Sequence, residues 1–140
     1  MENMVILKIF YLIFIALLLN TAKADEVPIP EFLGETVKYK DPYRGELVLG
    51  ERTPKELKFW FRTMGGGYHQ CHMAGAATSK DNETYRYARV EQRNEKNLFC
   101  SLSVIVLDNS VVLIDENNQC KAISCGQRAS INGAVFHRVK

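Results

Sequence analysis

The chain has 140 residues, of which 46% are hydrophobic and 24% charged, and its formal net charge is +2. This length suits one domain with a modest core. The near balance of charge argues against electrostatic recruitment to nucleic acid or to an anionic membrane, and against a strongly acidic surface that captures a basic target.

The N-terminal segment has the pattern of an export signal. An uninterrupted apolar run extends from Ile9 to Leu19, and Ala22-Lys23-Ala24 follows it. This pattern predicts a secretory signal peptide over residues 1–24, cleaved before Asp25. The apolar run is too short for a stable transmembrane helix. An apolar helix that stays attached as an anchor is the alternative.

Residues 25–140 are predicted to form a single β-rich domain in the periplasm or outside the cell, with no integral membrane segment. Lys8, Lys23 and Glu2 leave with the signal peptide, so this domain keeps 16 basic and 15 acidic side chains.

All four cysteines lie in the predicted exported part, at Cys71, Cys100, Cys120 and Cys125. An even number in a small exported chain predicts two disulfides. Of the three possible pairings we favour Cys71–Cys100 together with Cys120–Cys125. The first would join two predicted strands, and the second would close a short loop.

After an extended lead-in over residues 25–34, the chain predicts short strands cut by turns. Leu57, Phe59 and Phe61 alternate with other residues at a period of two, which is typical of a strand. The predicted strands span residues 46–51, 57–62, 68–78, 84–91, 98–107, 111–114 and 134–139. The predicted turns span residues 65–67, 80–83, 93–97, 108–110, 116–118 and 132–133. Residues 120–130 are irregular, with room for one helical turn.

Two local patterns modify this scheme. Residues 53–56 also resemble a helix start, with a capping threonine, a proline and a reciprocal glutamate, but the aromatic alternation after them favours a strand. The small residues 74–77 leave room for bulky side chains opposite. Together the elements predict an all-β fold: an antiparallel meander or small barrel of six to eight strands, stabilised by two disulfides.

The cluster of His69, Cys71 and His72 is the weak candidate for a metal site. On a strand, His69 and Cys71 share a face while His72 points the other way, so only two of them can bind one ion without a bulge. Partly exposed histidines beside a disulfide are the simpler interpretation. We predict no cofactor and no catalytic residue, because the serines lack a nucleophile-elbow setting.

Other polar groups fall in predicted turns or at strand ends. Candidate acids and a further candidate base are Asp81, Glu83, Glu91, Asp115 and His137. Solvation is the ordinary explanation for the acids. Asn82-Glu83-Thr84 matches the N-glycosylation triplet.

Four aromatic residues, with Arg128, form a candidate binding face. They are Trp60, Tyr68, Tyr85 and Tyr87. Tyrosine and tryptophan tolerate partial exposure and dominate interface hot spots, whereas core packing and cross-strand pairing are the default interpretation. For Arg128, hydrogen bonds to carbonyls of its own loop are the alternative to a binding role.

Three motifs resemble small periplasmic domains of Gram-negative bacteria. These domains combine a His-x-Cys strand, a Cys-x-Leu strand and a closing Cys-Gly-x-Arg-Ala sequence. The matching pieces are His69-Gln70-Cys71, Cys100-Ser101-Leu102 and Cys125-Gly126-Gln127-Arg128-Ala129. The resemblance covers residues 68–136. Some of these domains occur in proteins named as lysozyme inhibitors, so the resemblance implies inhibition or partner binding.

The sequence therefore predicts an exported, non-enzymatic domain that binds a protein partner, with inhibition of a lysozyme or another cell-wall hydrolase as its most specific form. A small hydrolytic or metal-binding protein that uses His69, Cys71 and His72 is one alternative. A structural component of the cell envelope is another.

Overall fold

Eight antiparallel strands close into a barrel in which each strand pairs with its neighbours in the chain. The computed structural model describes residues 29–32 and 34–140; the predicted signal peptide and its cleavage site lie outside these residues. The strands are β1 (Val37–Lys40), β2 (Glu46–Arg52), β3 (Glu56–Met64), β4 (Gln70–Ser79), β5 (Thr84–Arg93), β6 (Lys96–Val106), β7 (Ser110–Asp115) and β8 (Ala134–Arg138).

The barrel is closed by pairing between the first and last strands, where Tyr39 lies opposite Arg138 and Lys40 opposite His137. One short helix, α1 (Gln119–Ser124), follows β7. The predicted all-β meander or barrel with two disulfides is confirmed.

The core forms because alternate residues of each strand point inward. Leu57, Phe59 and Phe61 of β3 are fully buried, as are Leu102 and Val104 of β6. Burial of each such side chain contributes about 1.5–3 kcal/mol relative to leaving it exposed. The inward residues of the other strands complete one continuous core.

The helix-start pattern before β3 forms a turn instead. The Thr53 N–H donates to the Glu56 carbonyl at 2.8 Å. The Thr53 hydroxyl oxygen accepts the N–H groups of Lys55 at 3.2 Å and Glu56 at 2.9 Å. These are the bonds of a helix cap, but the chain returns antiparallel to β2, because the apolar period after residue 56 is that of a strand.

The favoured disulfide pairing is wrong. Cys71 is bonded to Cys125 and Cys100 to Cys120, with Cα–Cα distances of 4.0 and 4.3 Å. The physical reason is the position of α1, which packs against both β4 and β6. It brings its first turn to Cys100 on β6 and the residue after its last turn to Cys71 on β4.

A buried carboxyl group fixes the start of α1. Asp115 is fully buried; its Oδ1 accepts the N–H of Cys120 at 2.8 Å and its Oδ2 accepts the N–H of Lys121 at 2.9 Å. The expectation that Asp115, in a turn or at a strand end, is solvated is therefore wrong. These bonds satisfy two of the N–H groups that a helix leaves unpaired at its N-terminus.

Within the described residues, no helix combines the length and the apolar character needed to cross a membrane.

Candidate functional site

The predicted aromatic face is not one continuous surface. Trp60 and Tyr85 are each only 2% exposed. Tyr85 points inward, and its hydroxyl oxygen accepts a hydrogen bond from Arg52 Nε at 2.9 Å. Trp60 lies on the outer side of β3, between inward-facing neighbours. The rule of alternation shows which residues share a face but not whether that face is covered.

Tyr87 also belongs to the interior. Its ring packs against the core and meets Phe59 edge-on, with ring centroids 5.3 Å apart. Of the five predicted members of the face, only Tyr68 and Arg128 are exposed. Trp60, Tyr85 and Tyr87 therefore do not form an exposed face, and a binding role for Tyr68 and Arg128 stays a prediction.

Tyr68 lies at the end of the β3–β4 hairpin and is 89% exposed. It completes the short 3-10 turn Gly66–Tyr68 and has a φ of +63°. A bulky residue adopts this left-handed region only when its surroundings impose it. The turn is closed by a hydrogen bond from the Gly65 N–H to the His69 carbonyl at 2.7 Å.

The loop of residues 126–130 braces this turn from one side. A Cβ atom at Gly65 would overlap the Arg128 carbonyl and the Ala129 backbone, and one at Gly126 would lie 2.7 Å from His69 Nδ1. Glycine at both positions therefore permits close approach of the two segments. We call residues 65–69 together with 126–130 the tip platform.

Covalent and hydrogen bonds hold the tip platform to the barrel. The Gly126 N–H donates to the Gln70 carbonyl at 2.9 Å, next to the Cys71–Cys125 disulfide. The Thr63 hydroxyl donates to the Ser130 carbonyl at 3.0 Å. Tyr68 is thus an exposed aromatic side chain on a rigid support.

The candidate metal ligands are separated. Cys71 has no free thiolate because it is bonded to Cys125. The imidazole of His69 packs against Gly126, whereas His72 is exposed on the other face of β4. In the part of the chain that the structure describes, no three His, Cys, Asp or Glu side chains are placed to share an ion.

Asp81 has a local structural role. Its Oδ1 accepts the N–H of Glu83 at 2.9 Å and the N–H of Thr84 at 2.6 Å. These hydrogen bonds, that from Glu83 first, favour the charged form and lower the pKa of the Asp81 carboxyl. Glu83 and Asn82 are exposed in the same turn.

The remaining candidate acid and base lie on different strands, Glu91 on β5 and His137 on β8. Glu91 lies between Arg89 and Arg93, each 2.9 Å from one of its carboxylate oxygens. His137 is exposed on β8.

Sequence reasoning missed a seam in the barrel between β4 and β5. Each strand has 10 residues, yet they pair only at Thr78–Arg86 and Ser79–Tyr85. Beyond these pairs the strands separate. The Tyr87 ring lies against Gly75, in the space that a Cβ atom at residue 75 would need. The same ring packs against Phe59. The small residues of β4 were the signal, because they leave room for such a ring.

The far end of the seam opens into a groove of about 450 Å³. Gln70, His72 and Ala74 line it from β4, while Arg89 and Glu91 line it from β5. The loop after α1, including Gly126, forms its end. Gly126 belongs to the tip platform, and its N–H donates to the carbonyl of Gln70, which lines the groove. The groove and the platform are therefore one continuous surface.

Comparison of the chain with family models, with curated proteins and with solved structures found no match.

Proposed function

We propose that the protein is an exported, non-catalytic binding domain whose tip platform contacts a protein partner through Tyr68 and Arg128. In its most specific form, the proposal is that the domain inhibits a lysozyme or another cell-wall hydrolase, in the periplasm or outside the cell. This form draws on the resemblance of residues 68–136 to periplasmic domains.

Two features support export. The two disulfides, which use all four cysteines, indicate an oxidising, extracytoplasmic environment. The apolar run of Ile9 to Leu19, with its small-residue ending, has the pattern of a cleaved leader.

The observation that carries the proposal is the exposed Tyr68 at a positive φ. A non-glycine residue in the left-handed region costs about 1–2 kcal/mol, and the exposed ring gains little packing energy in return. Tyrosine is among the residues that carry most of the energy of protein interfaces. A turn that is already rigid loses little conformational entropy on binding. The geometry thus favours presentation of the ring to a partner.

Three of the candidate chemical groups have structural partners, which supports binding rather than catalysis. Cys71 is oxidised, Asp115 caps α1, and Glu91 is paired with two arginines.

The test uses the full chain, exported with its own leader and purified from the cell envelope. It is added at micromolar concentration to a panel of muramidases and amidases, as wild type and as Tyr68→Ala and Arg128→Ala. Tyr43→Ala is the matched control, because Tyr43 is 75% exposed on another turn. We expect inhibition that weakens at least about tenfold in Tyr68→Ala, the size of a hot-spot loss, and stays unchanged in Tyr43→Ala.

Two results would count against the proposal at different levels. No inhibition of any enzyme would remove the hydrolase-inhibitor form. If wild type co-purifies with a partner and the Tyr68→Ala and Arg128→Ala variants retain it equally well, the tip platform is not the binding site.

A further inference from the structure

The hydrogen-bond pattern of β4 shows which of its backbone groups face the seam. The Ser79 N–H donates to the Lys55 carbonyl at 2.8 Å, so the odd-numbered residues of β4 exchange hydrogen bonds with β3. In an antiparallel ladder the bonding direction alternates along the strand. The even-numbered residues therefore direct their N–H and C=O groups toward β5. Of those beyond the two paired positions, His72 is already occupied, because the isolated bridge between Cys71 and Cys125 places its N–H opposite the Ser124 carbonyl. Ala74 and Ala76 remain.

The same reasoning applies to β5. The Val106 N–H donates to the Glu83 carbonyl at 2.8 Å, so odd-numbered residues of this strand bond to β6. The even-numbered residues direct their backbone groups toward β4. Those that lie beyond the paired positions are Ala88, Val90 and Gln92.

Among the described residues, none forms a backbone hydrogen bond across the seam with Ala74, Ala76, Ala88, Val90 or Gln92. All five residues are exposed. The Tyr87 ring beside Gly75 lies under the seam and closes its inner side. Two open strand edges with an apolar floor are the arrangement that accepts an added strand.

We propose that this seam binds an extended peptide segment of a partner protein by strand addition, antiparallel to β4. The segment exchanges backbone hydrogen bonds with Ala74 and Ala76. The small side chains of the two alanines permit close approach. Directly opposite residues of an antiparallel pair point to the same face of the sheet. The segment residue opposite Gly75 therefore points inward, toward the Tyr87 ring, and carries a small side chain.

Charge defines one end of the segment. The groove at the Gln70 end is lined by Arg89 and Glu91, and Arg93 also contacts Glu91. Two positive charges therefore stand beside one negative charge at this end. An antiparallel segment brings its C-terminal part to this end, and acidic residues there complement the excess positive charge. The seam adds a second contact to the proposed function and does not depend on Tyr68.

Amide hydrogen exchange of the native protein, followed by NMR, tests whether the edge is open. We expect the amides of Ala74 and Ala76 to exchange at least about tenfold faster than those of Met73 and Gly75, which are bonded to β3. Equal protection of the two sets would overturn the proposal, because it would show that the edge is already occupied.

Peptide titration tests binding. The probe is an acetylated, amidated peptide of alternating threonine and alanine that ends in two glutamates; the control peptide is N-methylated at alternate residues, which removes its donors on one edge. Ala74→Pro and Ala76→Pro each remove one edge N–H without touching a bond to β3. Ala74→Ser is the matched control. Thermal unfolding identifies any proline variant that fails to fold.

We expect the probe to shift the Ala74 and Ala76 amide signals and to bind at least about tenfold more weakly to a folded proline variant. N-methylation should weaken binding similarly, while Ala74→Ser and Tyr68→Ala should leave it unchanged. Absence of any shift at millimolar probe, or equal binding by the proline variants or the N-methylated peptide, would overturn the proposal. Since Tyr68→Ala separates the two sites, failure here leaves the tip platform to be judged by its own test.

Discussion

Removal of the Asp115 side chain should destabilise the domain far more than its place at the end of a strand indicates. Asp115→Ala deprives the N–H groups of Cys120 and Lys121 of their acceptors. A buried donor left unpaired costs about 1–3 kcal/mol. The Cys120 N–H is buried and the Lys121 N–H is partly buried, so we assign the upper part of this range to the first and about 1 kcal/mol to the second. The free energy of unfolding should fall by about 3–4 kcal/mol.

Urea unfolding with the disulfides intact, followed by the fluorescence of the single tryptophan, Trp60, measures this change. Asp115→Asn keeps one carbonyl oxygen as acceptor and should lose roughly half as much. Glu116→Ala is the neighbouring control; its side chain is exposed, with Arg86 at 3.8 Å, and its effect should stay within about 0.5 kcal/mol. A loss below about 1 kcal/mol in Asp115→Ala, or an equal loss in Glu116→Ala, would refute the reasoning.

Three further predictions concern other parts of the barrel. Gly75→Ala should cost about 1–3 kcal/mol because the new methyl group meets the Tyr87 ring. In a double-mutant cycle, Gly75→Ala should cost little stability when Tyr87→Ala is already present. If the stability losses of the two substitutions simply add, the contact between the methyl group and the ring is contradicted. Replacement of Cys100 and Cys120 together by alanine should cost about 3 kcal/mol for a crosslink of sequence separation 20, and an unchanged urea midpoint would contradict it. The lowered pKa of Asp81 means that its hydrogen bonds stabilise the fold above the ordinary aspartate pKa of about 3.9 and lose this effect as pH falls through the lowered value. NMR titration should find that lowered pKa, and Asp81→Asn should remove this pH dependence; a pKa at or above the ordinary value would contradict the prediction.

The strands could be predicted from the sequence because their signal is local. The alternation of Leu57, Phe59 and Phe61 requires only that one face be buried, and the structure buries that face. The same local rule explains the error over Tyr85 and Tyr87. Their spacing places both on one side of β5 but carries no information on whether that side faces solvent or the core.

The disulfide pairing and the seam depend on contacts between distant segments. The position of α1 decides which cysteines meet, and nothing within residues 119–124 specifies that it crosses from β6 to β4. Likewise, a run of small residues around Gly75 indicates room for a neighbour, but only the fold shows that the neighbour is Tyr87 and that β4 and β5 separate beyond their two pairs. The burial of Asp115 follows from the same helix position.

The most direct test of the proposed binding role is the inhibition constant of the Tyr68→Gly variant against the hydrolase that wild type inhibits. Glycine adopts the positive φ at this position without strain, so the variant should unfold at a urea concentration no lower than wild type. We predict that it nevertheless loses at least about tenfold in inhibition, because the ring itself makes the contact. Full inhibition by a folded Tyr68→Gly protein would contradict the assignment of the tip platform as the binding site.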